Sequence, residues 1–156
     1  MLKQLFTVSV FISVVLAGSL FAEEKTEQIK GPIVITSQTL LSDNKARTAL
    51  FEGSVVAKTE NMTLYSDKML VYYAEETGNV TKIDAEGSVK LVKKDLVVTS
   101  KVANYFADEE KIIFTGEPKA IQKGDIITGT KMTYWMKDDR SFVENSRVLL
   151  ENKKGK

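Results

Sequence analysis

The chain has 156 residues, of which 22 are lysine or arginine, 21 are aspartate or glutamate, and none is cysteine or histidine. This length suits one domain with its own core. The near-neutral charge balance, with acidic and basic residues interleaved, argues against a nucleic-acid-binding protein. Without cysteine or histidine there is no disulfide, no thiolate and no imidazole ligand, so the sequence predicts a protein that needs neither metal nor cofactor.

The first 22 residues have the pattern of a secretory signal peptide. Lys3 precedes an uncharged run from Leu5 to Ala22, and the acidic pair Glu23-Glu24 follows. We predict cleavage near Ala22, followed by a flexible segment over 23–31. Loss of Lys3 with the leader leaves 21 basic and 21 acidic residues. An uncleaved membrane anchor is the alternative, because 18 uncharged residues could just span a bilayer.

Runs with strand-like alternation fill the rest of the chain. Along Lys82 to Leu91, apolar or small residues alternate with polar ones, and this period of two is incompatible with a helix. Short polar turns separate the runs, which makes neighbouring strands antiparallel. In chain order, the predicted strands are 33–41, 47–58, 62–73, 80–92, 96–106, 111–122, 126–136 and 142–150.

A two-part pattern recurs four times within these runs. Its first part is a small residue, a polar residue, Lys or Thr, and an apolar residue, with copies that begin at Ser37, Ser66, Thr99 and Gly129. Its second part is Phe51–Val55, Ala85–Val89, Phe114–Pro118 and a degenerate Val143–Arg147. The unit of 29 to 34 residues is two strands long, which indicates a stacked β array.

The runs are longer than ordinary strands and therefore have to bend. They span nine to thirteen residues, whereas a typical strand has about five or six. Gly53, Gly87 and Gly116 lie inside the runs, where glycine permits a bulge or a sharp bend. We predict that each run folds over at its small residue and joins two facing sheets, which gives an all-β, open antiparallel β-jellyroll over 32–150.

The strand register predicts which side chains line the apolar interior. The expected inward residues are Ile33, Ile35, Phe51, Val55, Leu64, Ile83, Val89, Leu91, Val97, Phe114 and Ile127. Because the parity can switch at each bend, the second choices are Met69, Val71, Val102 and Met132. Each of these residues can equally be a plain core residue that touches no ligand.

A linear stack of hairpins leaves both of its ends open. The first run (33–41) and the last run (142–150) should present unpaired backbone groups, with Pro32 guarding only the entry to the first. Such edges favour pairing with another chain or another copy. The polar tail 151–156 is expected to be disordered.

We call each copy of the first part of the pattern a first box and each copy of the second part a second box. These boxes resemble the OstA-like repeats of the LptA family. The resemblance rests on Pro32–Ser37, Phe51–Ala57, Leu64–Val71, Phe114–Pro118 and Gly129–Tyr134, and it covers about residues 32 to 146 behind a signal peptide. The short C-terminus and the degenerate last box depart from the family pattern.

This resemblance implies a function and partners. It implies a periplasmic lipopolysaccharide transport protein whose β-trough shields lipid A acyl chains. It also implies end-to-end self-association and edge pairing with an LptC-like inner-membrane protein at the N-terminal edge and an LptD-like outer-membrane protein at the C-terminal edge. Lys68, Lys101 and Lys131 could approach lipid A phosphates at the rim, although such lysines are more often solvated.

Other functions have weaker support in the sequence. Asp108-Glu109-Glu110 and Asp138-Asp139 fall in predicted turns without a third ligand or a cleft, so we expect no enzyme. A carbohydrate-binding β-sandwich could use the tyrosines and Trp135 as a platform. The main alternatives are an LptC-like component that keeps its N-terminal anchor and an assembly adaptor that pairs edges without carrying lipid.

Overall fold

The structure, a computed structural model, describes residues 32–151. The predicted signal peptide, the segment 23–31 and the residues after 151 lie outside the described part. Within that part every regular element is a β-strand. The strands are β1 (Val34–Thr36), β2 (Thr39–Asp43), β3 (Thr48–Lys58), β4 (Thr63–Tyr73), β5 (Val80–Lys93), β6 (Leu96–Phe106), β7 (Lys111–Thr115), β8 (Lys119–Gln122), β9 (Asp125–Thr128), β10 (Lys131–Trp135), β11 (Arg140–Glu144) and β12 (Arg147–Leu149).

The strands form two sheets that share four long strands. In the front sheet the order is β2, β3, β4, β5, β6, β7, β10 and β11. In the back sheet it is β1, β3, β4, β5, β6, β8, β9 and β12. All pairs are antiparallel, and β3 to β6 pass from one sheet into the other. The predicted open antiparallel β-jellyroll is therefore confirmed.

We call the line along which the strands pass between the sheets the crease. The register of the long strands shifts there, between Glu52 and Val55 in β3 and between Glu86 and Val89 in β5. The other predicted runs break at the same line, as at Ser37-Gln38, where β1 ends and β2 begins. Each predicted run thus bends at the small residue of its box, as the pattern predicted.

Left-handed backbone builds the crease. Gly53, Gly87 and Gly116 have φ values of 82°, 75° and 75°, a conformation that costs other residues free energy because of their Cβ atom. A Cβ on Gly87 would lie only 2.9 Å from the Cβ of Asp67, in the first box of the neighbouring strand. The degenerate fourth copy of the second box, Val143–Arg147, is also left-handed, since Asn145 has φ 50°. After glycine, asparagine is among the residues that tolerate this conformation best.

The apolar core lies between the two sheets. Fully buried side chains come from the front sheet, such as Met69 and Phe114, and from the back sheet, such as Val55 and Leu91. Opposite the crease lie the free rims of the two sheets, formed by the hairpin turns, and we call the line where these rims meet the seam. The interior is thus bounded by a covalently continuous crease on one side and by side-chain contacts at the seam on the other.

A ladder of aromatic rings and cations crosses the outer face of the front sheet. Successive paired positions carry Tyr72, Lys82, Phe106, Lys111, Trp135 and Arg140. The Lys82 Nζ lies 5.0 Å from the ring centre of Tyr72 and 5.9 Å from that of Phe106, and the Arg140 guanidinium lies 4.5 Å from that of Trp135. Lys111 Nζ lies 5.3 Å from the ring centre of Phe106, so cation–π attraction links β4, β5, β6 and β7 and, separately, β10 and β11.

Candidate functional site

The candidate site is the apolar interior between the sheets. Seven of the eleven residues expected to face inward are buried in the core, namely Phe51, Val55, Leu64, Ile83, Val89, Leu91 and Phe114. Three more, Ile33, Ile35 and Ile127, are partly buried and pack against it. Of the second choices, Met69, Val71 and Met132 are also in the core. Contact of these residues with a ligand stays a prediction.

The inward placement of Val97 was wrong. Val98 is 4% exposed and Leu96 packs against the core, so Val97 between them points outward. The two-residue turn after Lys93 sets this register by pairing Leu91 with Val98, whereas three consecutive apolar residues left the sequence without a parity signal. Val102 was wrong for a related reason, because it pairs with the outward Glu86 and leaves Ala103 to face the core.

The interior is closed along most of its length. Front-sheet and back-sheet residues together line one cavity of about 100 Å³ near Phe114 and Ile127, and another of about 30 Å³ near Leu64 and Ile112. Typical ligand pockets hold about 300–1,000 Å³. A ligand of several acyl chains can therefore enter only if the sheets separate.

Larger spaces lie at the N-terminal end of the interior. One of about 480 Å³ is bordered by Leu40, Phe51 and Tyr73, and another of about 370 Å³ by Ile33, Ile35 and Tyr105. Leu40 pairs with the inward Phe51 and yet is 58% exposed, because β2 is the last described strand of its sheet. The N-terminal end is therefore an open mouth with an apolar side at Leu40 and Phe51 and a polar side at Asp43, Arg47 and Glu75.

A polar cluster bridges the seam beside the larger cavity. Lys93, in the back sheet, donates a hydrogen bond from Nζ to the Tyr134 hydroxyl at 2.6 Å, and that hydroxyl donates to Oδ1 of Asp139 at 2.6 Å. The Lys93 side chain is 8% exposed, and its Nζ lies 3.5 Å from Asp139 Oδ1. The hydrogen bond from Tyr134 holds the pKa of Asp139 below its ordinary value, and burial raises the pKa of Tyr134.

Sequence reasoning missed this cluster. It assigned Asp138-Asp139 to a turn and Tyr134 to a strand end, and it read Lys93 as the start of a polar turn. Nothing in the sequence indicates that these three residues meet, because they lie on different sheets. The one available signal was the alternation of side chains along β5. Lys93 is two residues after the inward Leu91, so its side chain points to the same face.

Both ends of the sheets carry exposed apolar side chains. Among the described residues, β1, β2, β11 and β12 each pair with one strand only. The N-terminal edge exposes Val34, Leu40 and Leu41, and the C-terminal edge exposes Phe142, Val148, Leu149 and Leu150. The charged residues of these edge strands stand at strand ends, Asp43 in β2, Arg140 and Glu144 in β11 and Arg147 in β12, so the middle of each edge strand carries no charge that would prevent pairing.

The three lysines of the first box are engaged in ion pairs. Lys101 lies 2.9 Å from Glu117, Lys131 lies 3.2 Å from Glu144, and Lys68 lies 3.9 Å from Glu52. Each pair joins a first-box lysine to a second-box glutamate on the outer face next to the crease. A phosphate role for these lysines stays a prediction, and these glutamates would compete with the phosphate.

Within residues 32–151, no group of three or more acidic residues is placed to hold a metal ion, and no helix is long and apolar enough to cross a membrane.

Comparison with known proteins identifies the family. The family described as "LptA/(LptD N-terminal domain) LPS transport protein" matches residues 34–140. LptH from Pseudomonas aeruginosa, described as the LptA-homologous periplasmic component of the lipopolysaccharide transport device, superposes with a TM-score of 0.71 at 16% identity, over 82% of this chain and 99% of that one. No curated protein matches the sequence. The chain therefore belongs to the LptA/LptD N-terminal family of lipopolysaccharide transport proteins.

Proposed function

We propose that this protein is a periplasmic, non-enzymatic carrier that shields the lipid A acyl chains of lipopolysaccharide between its two sheets. The observation that carries the proposal is an apolar interior that runs between the sheets and opens at its N-terminal end beside Leu40, Phe51 and Tyr73. Each CH₂ group that leaves water contributes about 0.8 kcal/mol, so several acyl chains can offset the cost of parting the seam. Export with cleavage near Ala22 belongs to the same proposal.

Photocrosslinking tests the lipid path. A benzophenone amino acid replaces Phe51, which is 9% exposed and faces inward, or Tyr65, which is 41% exposed on the outer face of the back sheet. Both positions are aromatic and lie in adjacent strands, so they form a matched pair. Lipopolysaccharide should crosslink at position 51 and not at position 65, whereas equal labelling would refute the channel.

We further propose that the edges join copies head to tail and that they also meet an LptC-like protein at the N-terminal edge and an LptD-like protein at the C-terminal edge. Support comes from the exposed apolar side chains and the single-partner strands at both ends. Main-chain hydrogen bonds would extend each sheet from one molecule into the next.

The absence of cysteine makes this pairing testable without background. Leu41→Cys and Phe142→Cys place one thiol on each edge, both on the outer face of the front sheet. The double variant should form an oxidised ladder of dimers, trimers and longer species, while each single variant stays monomeric. Disulfide-linked dimers of a single variant would show that like edges pair, and a monomeric double variant, tested with cysteines at neighbouring positions, would contradict edge pairing.

A lipid-free assembly adaptor is the second candidate. The small volumes of the two interior cavities, about 100 and 30 Å³, favour it. An adaptor would form the cysteine ladder and would fail to crosslink lipid at position 51. The intact mass of the exported protein, measured together with these experiments, would separate a chain that starts near Glu23 from an anchored LptC-like component.

A further inference from the structure

The outer face of the back sheet carries two parallel rows of side chains with different chemistry. Five strands, β5, β6, β8, β9 and β12, each contribute one residue to each row, and the two residues are two positions apart along the strand. The row nearer to the seam is aliphatic and consists of Val92, Val97, Ile121, Ile126 and Leu149. Ile121 is 37% exposed and Leu149 is 63% exposed. An aliphatic row therefore meets solvent across five strands.

The row nearer to the crease consists of hydrogen-bond donors. In the same strand order, its members are Lys90, Thr99, Lys119, Thr128 and Arg147. Cations and hydroxyls alternate, so the three cations lie on every second strand, about 10 Å apart. Within the described part of the chain, none of these three cations forms an ion pair. We call the two rows together the back-face patch.

The outward positions of the back-sheet strands hold no acidic side chain in residues 32–151. In β1, β3 and β4 the same two rows continue with apolar, basic or neutral residues, which include Lys58 as a fourth cation. The outer face of the front sheet differs, because there Lys68 and Lys131 pair with glutamates of neighbouring strands. At the seam, the carboxylate of Asp95 is occupied by Lys123 at 3.6 Å. The back-face patch is therefore a surface of one charge sign, and a partner that fits it has to be anionic.

We propose that the back-face patch docks on an anionic lipid bilayer, with the donor row on lipid phosphates and the aliphatic row at the boundary between head groups and acyl chains. A bilayer surface offers these two chemistries in adjacent layers. The hydroxyls of Thr99 and Thr128 can donate to phosphate oxygens between the cations. A second copy placed face to face would oppose like charges, and a polyanion such as a nucleic acid would leave the aliphatic row in water.

Docking would fix the orientation of the protein on the membrane. Val92 and Val97 each lie two residues from the β5–β6 turn, which belongs to the back rim of the seam. That rim would therefore lie at the membrane surface, and the outer face of the front sheet would face water. This inference goes beyond the proposed lipid carriage and does not depend on it, because the side chains of the patch point away from the interior.

Vesicle flotation tests the proposal with the exported protein, purified without detergent. The probes are vesicles of phosphatidylglycerol and phosphatidylcholine in equal parts, and vesicles of phosphatidylcholine alone. The protein should bind the anionic vesicles at least about tenfold more tightly, and this preference should shrink as the ionic strength rises. Equal binding to both kinds of vesicle, or no binding to the anionic ones, would overturn the proposal and would leave lipid carriage in the interior intact.

A matched pair of charge variants locates the contact. Lys90→Gln combined with Lys119→Gln removes two exposed cations of the patch. Binding should weaken about thirtyfold, since each basic residue near an anionic surface contributes about fivefold. Lys45→Gln combined with Lys137→Gln removes two exposed cations from turns of the front sheet and should change binding by less than about twofold. Equal losses in the two double variants would show that only net charge matters, which would overturn the patch.

A second pair tests the aliphatic row. Ile121→Ser should weaken binding to the anionic vesicles about tenfold, because it removes an aliphatic side chain from the contact. Leu41→Ser, at an exposed leucine on the outer face of the front sheet, should leave the binding unchanged. An Ile121→Ser variant that binds as tightly as the wild type would overturn the proposed insertion. A dimer that Ile121→Ser abolishes, in a protein that does not bind vesicles, would assign this face to a second copy and overturn the proposal.

Discussion

Replacement of Gly87 by alanine tests whether the crease needs glycine for two separate reasons. The first is the backbone, because φ is 75° at this position and a left-handed residue with a Cβ costs about 1–2 kcal/mol. The second is the neighbour, because the new Cβ would lie 2.9 Å from the Cβ and 3.0 Å from the Cγ of Asp67. Asp67 would have to move and would lose the hydrogen bond that it accepts from the Ser88 hydroxyl at 3.0 Å.

A matched glycine carries only the first cost. Gly78 has φ 66°, and a Cβ there would meet nothing within 4 Å. Gly78→Ala should therefore lower the free energy of unfolding by about 1 kcal/mol, since a smaller entropy of the unfolded chain offsets part of the backbone cost. Gly87→Ala should lower it by about 2 kcal/mol, because a lost hydrogen bond contributes about 0.5–1.5 kcal/mol more.

Urea unfolding measures both variants, and the midpoint should shift while the slope stays constant. In an Asp67→Ala background, which already lacks that hydrogen bond, Gly87→Ala should cost less than in the wild type, and part of the excess should persist because the Cβ of residue 67 remains at 2.9 Å. If Gly78→Ala and Gly87→Ala cost the same, the close packing of the two boxes across the crease has no energetic weight, and the reasoning is refuted.

Three further predictions concern the register, the seam and the ladder. Val97→Lys should lower the free energy of unfolding by less than about 1 kcal/mol. Val98→Lys puts an ammonium into the core and should lower it by several kcal/mol. Thermal unfolding of both variants measures the difference. The lowered pKa of Asp139 means that its contribution to stability is present at and above the ordinary aspartate pKa and is lost as pH falls through the lower folded value. Asp139→Asn should therefore flatten urea midpoints measured between pH 7 and pH 2, and an unchanged acid profile would count against the Tyr134 contact. Lys82→Met should cost about 1 kcal/mol or more, since it removes both ring contacts and the hydrogen bond from Lys82 to Asp84 at 2.7 Å. Lys119→Met, at an exposed lysine of β8, should cost almost nothing by the same assay.

The fold was predictable because each repeat contains a glycine or small residue at the position where its strands bend. Glycines at 53, 87 and 116 fall inside alternating runs, and an internal glycine in a strand signals a bend. Inward parity was also readable wherever polar and apolar residues alternate strictly, as around Ile83. The degenerate fourth box was harder to interpret, since only the φ of 50° at Asn145 shows that it still bends the chain.

What the sequence could not supply was contact across the interior. The alternation pattern gave the wrong face for Val97, because the residues on both sides of it are also apolar. The turn after Lys93 decided the register by pairing Leu91 with Val98. Lys93 appeared to belong to a turn although its side chain is buried against Tyr134. Contacts between sheets depend on how two surfaces pack, and a period-two pattern in one strand carries no information about the opposite strand.

The two boundaries of the interior differ in what must break for it to open. At the crease, β3, β4, β5 and β6 run continuously between the sheets, so a change of angle there would strain left-handed residues and the ladders beside them. At the seam, separation breaks only side-chain contacts, and the ion pair of Lys93 with Asp139 is one of them. On the outside of the front sheet, cation–π contacts couple β4 to β7 and, separately, β10 to β11, which favours motion of each group of strands as a unit. Loading should therefore part the two rims while the crease holds its bend, which makes the residues of the seam, rather than the most buried residues of the core, the ones that set the cost of entry.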